Sequence, residues 1–256
     1  MATGTRFVWY ELMTTDGDAA AKFYADVVGW KAAKSPMPGM DYTLFNAGAD
    51  QVAGAFTLSA EAKAGGAPVG WVGYVGVEDA DRAAKELRAA GGAVHREPND
   101  IPGVGRFAMV ADPQGAVFAL FQPTRASDAS PADTSKPGHI GWHELYAANG
   151  ATIFNFYGKL FGWVKGDAID MGPAGKYQMF STAGDGVIGG MMTKPASMPV
   201  AAWAFYFNVP SVAAAVPKVK AGGGTIVTAP EEVPGGQWIV RCVDPQGAQF
   251  ALLGAK

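Results

Sequence analysis

The chain has 256 residues, room for one large or two small domains at about 150 residues each. Hydrophobic residues make up 49% and charged residues 17%, which excludes an intrinsically disordered chain. A net charge of −3 with scattered basic residues excludes a general electrostatic pull on nucleic acid or anionic lipid.

The sole cysteine, Cys242, rules out an intramolecular disulfide and a thiolate metal cage. Its setting in Val240-Arg241-Cys242-Val243 reads as a strand, with a buried, inert thiol. MATGTRFVWYEL carries no secretory signal, and no apolar run approaches the ~18 residues of a membrane-spanning helix. The expectation is a cytoplasmic protein with no membrane partner.

The first element is the strand-like run FVWYEL at 7–12. A helix follows, with Ala20, Phe23, Tyr24, Val27 and Val28 on one apolar face. Thr15 or Asp16 caps its start and Gly29 its end. YTLFNAG and QVAGAFTL are strand-like, then GWVGYVGV leads into a second helix carrying Ala80, Ala83, Ala84 and Leu87 before Gly91-Gly92. FAMVAD and AVFALFQ flank Asp112-Pro113-Gln114-Gly115, whose order fits a type I turn.

The pattern then starts again. FVWYEL recurs as IGWHEL, KFYADVVGW as NFYGKLFGW, and VADPQGAVFAL as CVDPQGAQFAL, at offsets of 133, 133 and 132 residues. Such a repeat defines two homologous halves, divided by a Pro-, Ser- and Ala-rich stretch: residues 1–123, a linker over 124–138, and residues 139–256. In the second half, Ile153, Phe156, Tyr157, Leu160 and Phe161 repeat the first helix face, ending at Gly162. Val212, Ala215, Val216 and Val219 form the last, where Pro217 is expected to kink or shorten the helix before Gly222-Gly223-Gly224. Each half holds two strand–helix–three-strand units, so about two sheets of eight strands are expected.

A βαβββ unit used in pairs, with FY…GW after the first helix and DPQG before the last strand, resembles the vicinal oxygen chelate superfamily. That group holds glyoxalases, bleomycin-resistance proteins and extradiol dioxygenases, and its tandem two-domain glyoxalase-like branch is the narrower match. The resemblance implies an α+β fold: four βαβββ modules paired into two domains, each a curved eight-stranded mixed sheet around a cavity with helices outside. It also implies metal-ligand positions at Trp9, Val72, Ala119, Trp142, Ala204 and Ala251, with the remaining ones near Gly54 to Phe56 and Gly189 to Met191. Divalent ions need imidazole or carboxylate donors, usually three or more, and these side chains supply none. No metal and no other cofactor is therefore expected.

Period-two alternation sets Trp9 and Glu11 on one face, as it does Trp142 and Glu144. Val72 brings Tyr74 with it, and Ala204 brings Tyr206. Trp9, Tyr74, Trp142 and Tyr206, with the carboxylates of Glu11 and Glu144, suit a flat, partly apolar organic ligand with a donor group; alternatively, the tryptophans fill the volume a metal site would occupy. Glu11 and Glu144, beside aromatic walls, suit acid–base chemistry; alternatively, they pair with an arginine or cap a backbone amide. Arg241 interrupts an apolar strand, either paired to an acid or clamping an anionic group, and Arg106 has the same two readings. His95, His139 and His143 share no metal-ligand spacing and read as ordinary, partly exposed histidines, with His143 facing away from Trp142. Neither GxSxG, Walker loop nor HExxH is present.

The function these features suggest is binding of a small molecule in a metal-free cavity, with or without catalysis by the glutamates, as a monomer or homodimer. A metal-dependent lyase or dioxygenase and a non-catalytic scaffold or partner-binding protein are the alternatives.

Overall fold

A computed structural model describes residues 5–35, 41–125, 134–182 and 186–256. The centre of the expected linker, 126–133, lies outside them.

Four modules follow one another. The first is β1 (Phe7–Thr14), α1 (Gly17–Val28), β2 (Lys31–Lys34), β3 (Tyr42–Ala47) and β4 (Asp50–Thr57). A short helix, α2 (Ala60–Ala64), leads to the second: β5 (Gly70–Gly76), α3 (Ala80–Ala89), β6 (Ala93–Ile101), β7 (Gly105–Ala111) and β8 (Val117–Pro123). The third is β9 (Ile140–Ala147), α4 (Gly150–Phe161), β10 (Val164–Asp170), β11 (Lys176–Ser181) and β12 (Val187–Thr193). The fourth is β13 (Ala202–Ser211), α5 (Val212–Ala221), the short β14 (Thr225–Ile226) and β15 (Glu231–Glu232), β16 (Trp238–Val243) and β17 (Gln249–Ala255). Strand order is β2-β3-β4-β1-β5-β8-β7-β6 in an eight-stranded sheet. The second sheet runs β10-β11-β12-β9-β13-β17-β16-β14, and β15 makes it nine-stranded rather than eight.

Local chemistry accounts for the helix ends. Asp16, not Thr15, accepts from the Ala19 amide at 2.9 Å, and Gly29 closes α1 at φ 88°, a conformation that costs a glycine little. Asn149 and Gly162 repeat this in α4. The apolar faces read from the sequence are the buried ones, except that Leu160 and Val216 are only half-buried. Pro217 lies inside α5, yet α5 and α3 both span 10 residues. Ala213 and Pro217 are exposed, so the carbonyl that proline leaves without its amide partner faces water and the helix persists.

By packing, the chain divides into two compact units that do not follow the repeat. The first takes the described residues of 1–9, 73–131 and 143–203, essentially the second and third modules. The second takes those of 10–72, 132–142 and 204–256, essentially the first and fourth. In the second unit Tyr24 of α1 lies among Trp30, Phe45, Trp71, Phe207 and Phe250, ring centroids 5.3–6.0 Å apart. In the first, Tyr157 of α4 stacks on Trp163 at 5.1 Å and meets Phe118 and Trp203. Burying each such ring contributes about 2–3 kcal/mol.

Candidate functional site

The motifs that carried the resemblance turn out to hold the scaffold. Tyr24 Oη donates to Asp244 Oδ2 at 3.0 Å and accepts from Trp71 Nε1 at 2.9 Å. Tyr157 Oη donates to Asp112 Oδ2 at 2.9 Å and accepts from Trp203 Nε1 at 3.1 Å. Each DPQG aspartate also accepts from two amides of its own turn: Gln114 and Ala116 at 2.8 and 3.0 Å, or Gln246 and Ala248 at 2.9 and 2.8 Å. The FY tyrosine of one half therefore closes on the DPQG aspartate of the other. Burial pushes both carboxyls above the usual carboxylate range, and both phenols well above theirs. These are packed, satisfied networks, with every donor and acceptor role taken inside the core.

With the rings around Tyr24 and Tyr157 marking the helix-packed face of each sheet, strand register places Glu11, Glu144, Tyr74, Tyr206 and Arg241. Phe45 meets Tyr24 and pairs with Ala53, so the next residue pair, Leu44 with Gly54, faces the other way, and Gly54 pairs with Glu11. Glu11 is half-buried on this helix-free face. A Cβ on Gly54 would collide with Oη, Cζ and Cε1 of Tyr42, so the Tyr42 phenol lies over the glycine on the face that Glu11 shares. The same arrangement stands in the other unit. Glu144 pairs with Gly190, Gly190 with Met179, and a Cβ on Gly190 would collide with the Tyr177 phenol. Glu144 is buried. Tyr42 and Tyr177 were missed in the sequence; their signal was the repeat itself, DYTLF with QVAGAF against KYQMF with VIGGMM.

A second wall in the unit of the first and fourth modules consists of Tyr206, Ala251 and Leu253, with Trp142, Ala204 and Ile239 packed against them. Arg241 pairs with Ala251, which pairs with Tyr206, so arginine and phenol flank one alanine on the helix-free face. The structure thus brings Trp142, Tyr206 and Arg241 to one wall. In the other unit Tyr74 pairs with Ala119 and Ala119 with Met109. The Tyr74 ring lies 6.2 Å from those of Phe107 and Phe121, and the Arg96 guanidinium covers Phe107 at 4.9 Å. Trp9 is half-buried on β1, where the burial alternation skips at Val8–Trp9 before resuming at Tyr10.

The remaining candidates are structural. His143 and His139 are buried rather than partly exposed, at 2% and 3% relative exposure; His95 is exposed. His143 lies on the helix-packed face, stacked 4.6 Å over Phe7 with Nδ1 2.8 Å from the Ile188 carbonyl, and burial pulls its pKa down to about 4. His139 Nε2 lies 3.4 Å from Asp50. Arg106 is committed to Asp81 and Asp100 at 2.7 and 2.9 Å, which settles its two readings in favour of ion pairing. Cys242 is buried and its thiol is pushed up to about 12, beyond the reach of a neutral-pH nucleophile.

A divalent ion does not fit the expected positions. Ala119 and Ala251 are fully buried alanines, Val72 is a buried valine, and Gly54 and Gly190 are covered by phenols. Among the described residues, no group of three or more His, Cys, Asp or Glu could hold a metal ion. Nor is any helix among them long and apolar enough to cross a membrane.

Fold and motif together define the class. The model of the Glyoxalase/Bleomycin resistance protein/Dioxygenase superfamily matches residues 6–120 and again 136–252, and the chain belongs to that superfamily. It is 30% identical over 247 residues to the protein named "Putative glyoxylase CFP32" of Mycobacterium tuberculosis, covering 96% of this chain and 93% of that one. It is also 30% identical over 259 residues to "Anthracycline biosynthesis protein DauV" of Streptomyces sp. strain C5, covering 96% and 91%. Among solved structures, the 2,3-dioxygenase LapB of Pseudomonas sp. KL28 has a TM-score of 0.67 at 13% identity, covering 100% of this chain and 94% of that one. The Mn(II)-bound glyoxalase of Novosphingobium aromaticivorans has a TM-score of 0.62 at 20% identity, covering 98% and 82%. At those identities the two structures speak for the fold alone.

Proposed function

We propose that this protein binds a small, partly aromatic or apolar organic molecule against the helix-free sheet faces, without a metal ion, and that Glu11 and Glu144 serve as its acid–base groups. The observation that carries this reading is the substitution of character at the expected metal positions. Alanine, valine and phenol-covered glycine stand there, beside a carboxylate and aromatic walls. Such walls offer flat apolar contact, and the phenols and arginine offer orientation. DauV's name fits an aromatic ligand class. Trp9 and Tyr74 extend the proposed contact surface in one unit, and Trp142, Tyr206 and Arg241 in the other. The working form is a cytoplasmic monomer or homodimer.

The test is tryptophan fluorescence titration of the purified protein with flat aromatic ketones, alongside its metal content by mass spectrometry. Saturable quenching that weakens at least fivefold in Trp142→Ala, with metal well below one ion per chain, is the expected result. Stoichiometric Zn²⁺, Ni²⁺ or Fe²⁺ would overturn the metal-free reading. For the acid–base role, a Glu11→Gln, Glu144→Gln double variant keeps ligand affinity and loses turnover; unchanged turnover removes that role.

A further inference from the structure

We propose that Arg96 is an anion-binding residue on the helix-free face of the eight-stranded sheet, taking the carboxylate of an aromatic acid that lies along Met109 and Phe121. The proposal rests on the function proposed above and deepens it by naming the ligand class: a flat aromatic molecule that carries a carboxylate.

Arg96 reaches that face through an irregular strand. β6 is the edge strand of its sheet. Its pairing with β7 steps from Val94–Val110 to Arg96–Met109 and on to Asn99–Phe107, with a register shift in each interval. Regular antiparallel pairing would continue from Val94–Val110 to His95–Met109. The shift sets Arg96 opposite Met109 instead, and bulges next to binding sites re-aim single side chains in this way. Met109 pairs with Ala119 and Ala119 with Tyr74, so Arg96 lies in the row that crosses an expected metal position. In the other sheet Arg241 pairs with Ala251 and Ala251 with Tyr206. Each helix-free face therefore carries one arginine in the same row, although the two are not repeat equivalents: Arg241 corresponds to Met109.

The guanidinium is held without being neutralised. It lies 4.9 Å over the Phe107 ring, and the residue is exposed. Among the described residues it meets no carboxylate, whereas Arg82, Arg88 and Arg106 each pair with at least one. An arginine lying over a ring keeps N–H groups for a carboxylate, which accepts two of them side by side. Edge protection does not call for this charge, because exposed Glu97 and Asp100 already guard the edge and Pro98 interrupts it. Beside the guanidinium, half-buried Met109 and Phe121 offer an apolar bed. Glu11 is four strands away in the sheet, so the two charges address different parts of a bound molecule.

The experiment is photolabelling of the full chain with 4-benzoylbenzoate and 4-benzoylbenzamide, which share a shape and differ in charge. Mass spectrometry identifies the labelled peptides. The benzoate should label β7–β8 saturably, and the amide should need about fivefold more probe for half-saturation there. In Arg96→Gln the benzoate should lose that advantage while the amide stays within about twofold. Arg96→Lys should recover part of it, since it restores the charge without the fork. Circular dichroism checks that both variants keep their fold, which the exposed edge position favours. Benzoate labelling of β7–β8 that is unchanged in Arg96→Gln, or that falls in parallel with the amide, would overturn the proposal and leave Arg96 as a cap on Phe107. Labelling confined to other peptides would overturn it too, with the proposed function intact. Saturable labelling by neither probe anywhere would remove the aromatic-ligand reading, and this inference with it.

Discussion

Tyr24 and Tyr157 occupy equivalent repeat positions and make the same bonds in their two units, whereas Tyr10 and His143, also equivalent, have little in common. Both tyrosines of the first pair donate to a buried aspartate and accept from an indole. Of the second pair, Tyr10 packs edge-on to Phe205, and His143 stacks on Phe7 and bonds a carbonyl. The walls differ too: Arg241 stands where the other unit has Met109, each register-paired with the alanine at an expected metal position. Even the turns diverge outside the shared aspartate. Gln114 bonds the start of α4 at 2.6 Å, while Gln246 Oε1 is buried without a partner among the described residues. The tyrosine–aspartate locks and the tyrosine laid over a glycine are duplicated; the position held by Tyr10 or His143 and the residue facing the alanine are not.

Breaking the duplicated part should have the largest effect, and the same one in both units. Asp112→Ala and Asp244→Ala each remove the acceptor of two turn amides and strand a buried phenol, and should each cost about 3 kcal/mol in urea denaturation. A clear difference between the two would show that the units are not equivalent in their locks.

The acid response should sharpen the contrast. His143 titrates at about 4 in the folded chain against 6.5 ordinarily. Its lowered pKa contributes stability that is present above about pH 6.5 and lost as pH falls toward 4, about 3 kcal/mol in all. Tyr10 has no such transition, because burial raises its phenol further. Asp112 and Asp244 carry the opposite sign: their raised pKa values contribute stability at low pH that is lost as pH rises through them. They do so in both units, so amide exchange between pH 6.5 and 4.5 should loosen the unit containing His143 first. His143→Phe should flatten that difference.

Smaller effects follow. Tyr24→Phe and Tyr157→Phe should each cost about 1 kcal/mol and should add, because the two networks share no residue. Gly29→Ala and Gly162→Ala force a side chain into φ 88° and 70° and should each lower stability by about 1 kcal/mol in thermal unfolding. Cys242 should not react with a thiol reagent at pH 8 until the chain unfolds.

Much of the scaffold was legible before any coordinates. Helix faces such as Ala20-Phe23-Tyr24-Val27-Val28, the caps at Asp16 and Gly29, and the DPQG turns all rest on interactions within a few residues. Parity along β1 and β9 likewise put Trp142 opposite His143. Less of the candidate site could be read. Tyr42 and Glu11 are 31 positions apart, and nothing local says that a ring on β3 crosses a glycine on β4. The burial of His139 escaped for a similar reason: Asp50, its partner, belongs to the other half of the repeat.

Sequence alone determined the repeat, the order of strands and helices within each module, and the apolar faces of the helices. Those follow from backbone periodicity and turn chemistry, which act over a handful of residues. Only the tertiary structure decided which modules close on one another, because the bond from Tyr24 to Asp244 spans 220 residues. A repeated motif offers two equivalent aspartates to each tyrosine, one in its own half and one in the other. Periodicity is blind to that choice, and the packing of α1 and α4 against opposite halves of the repeat makes it.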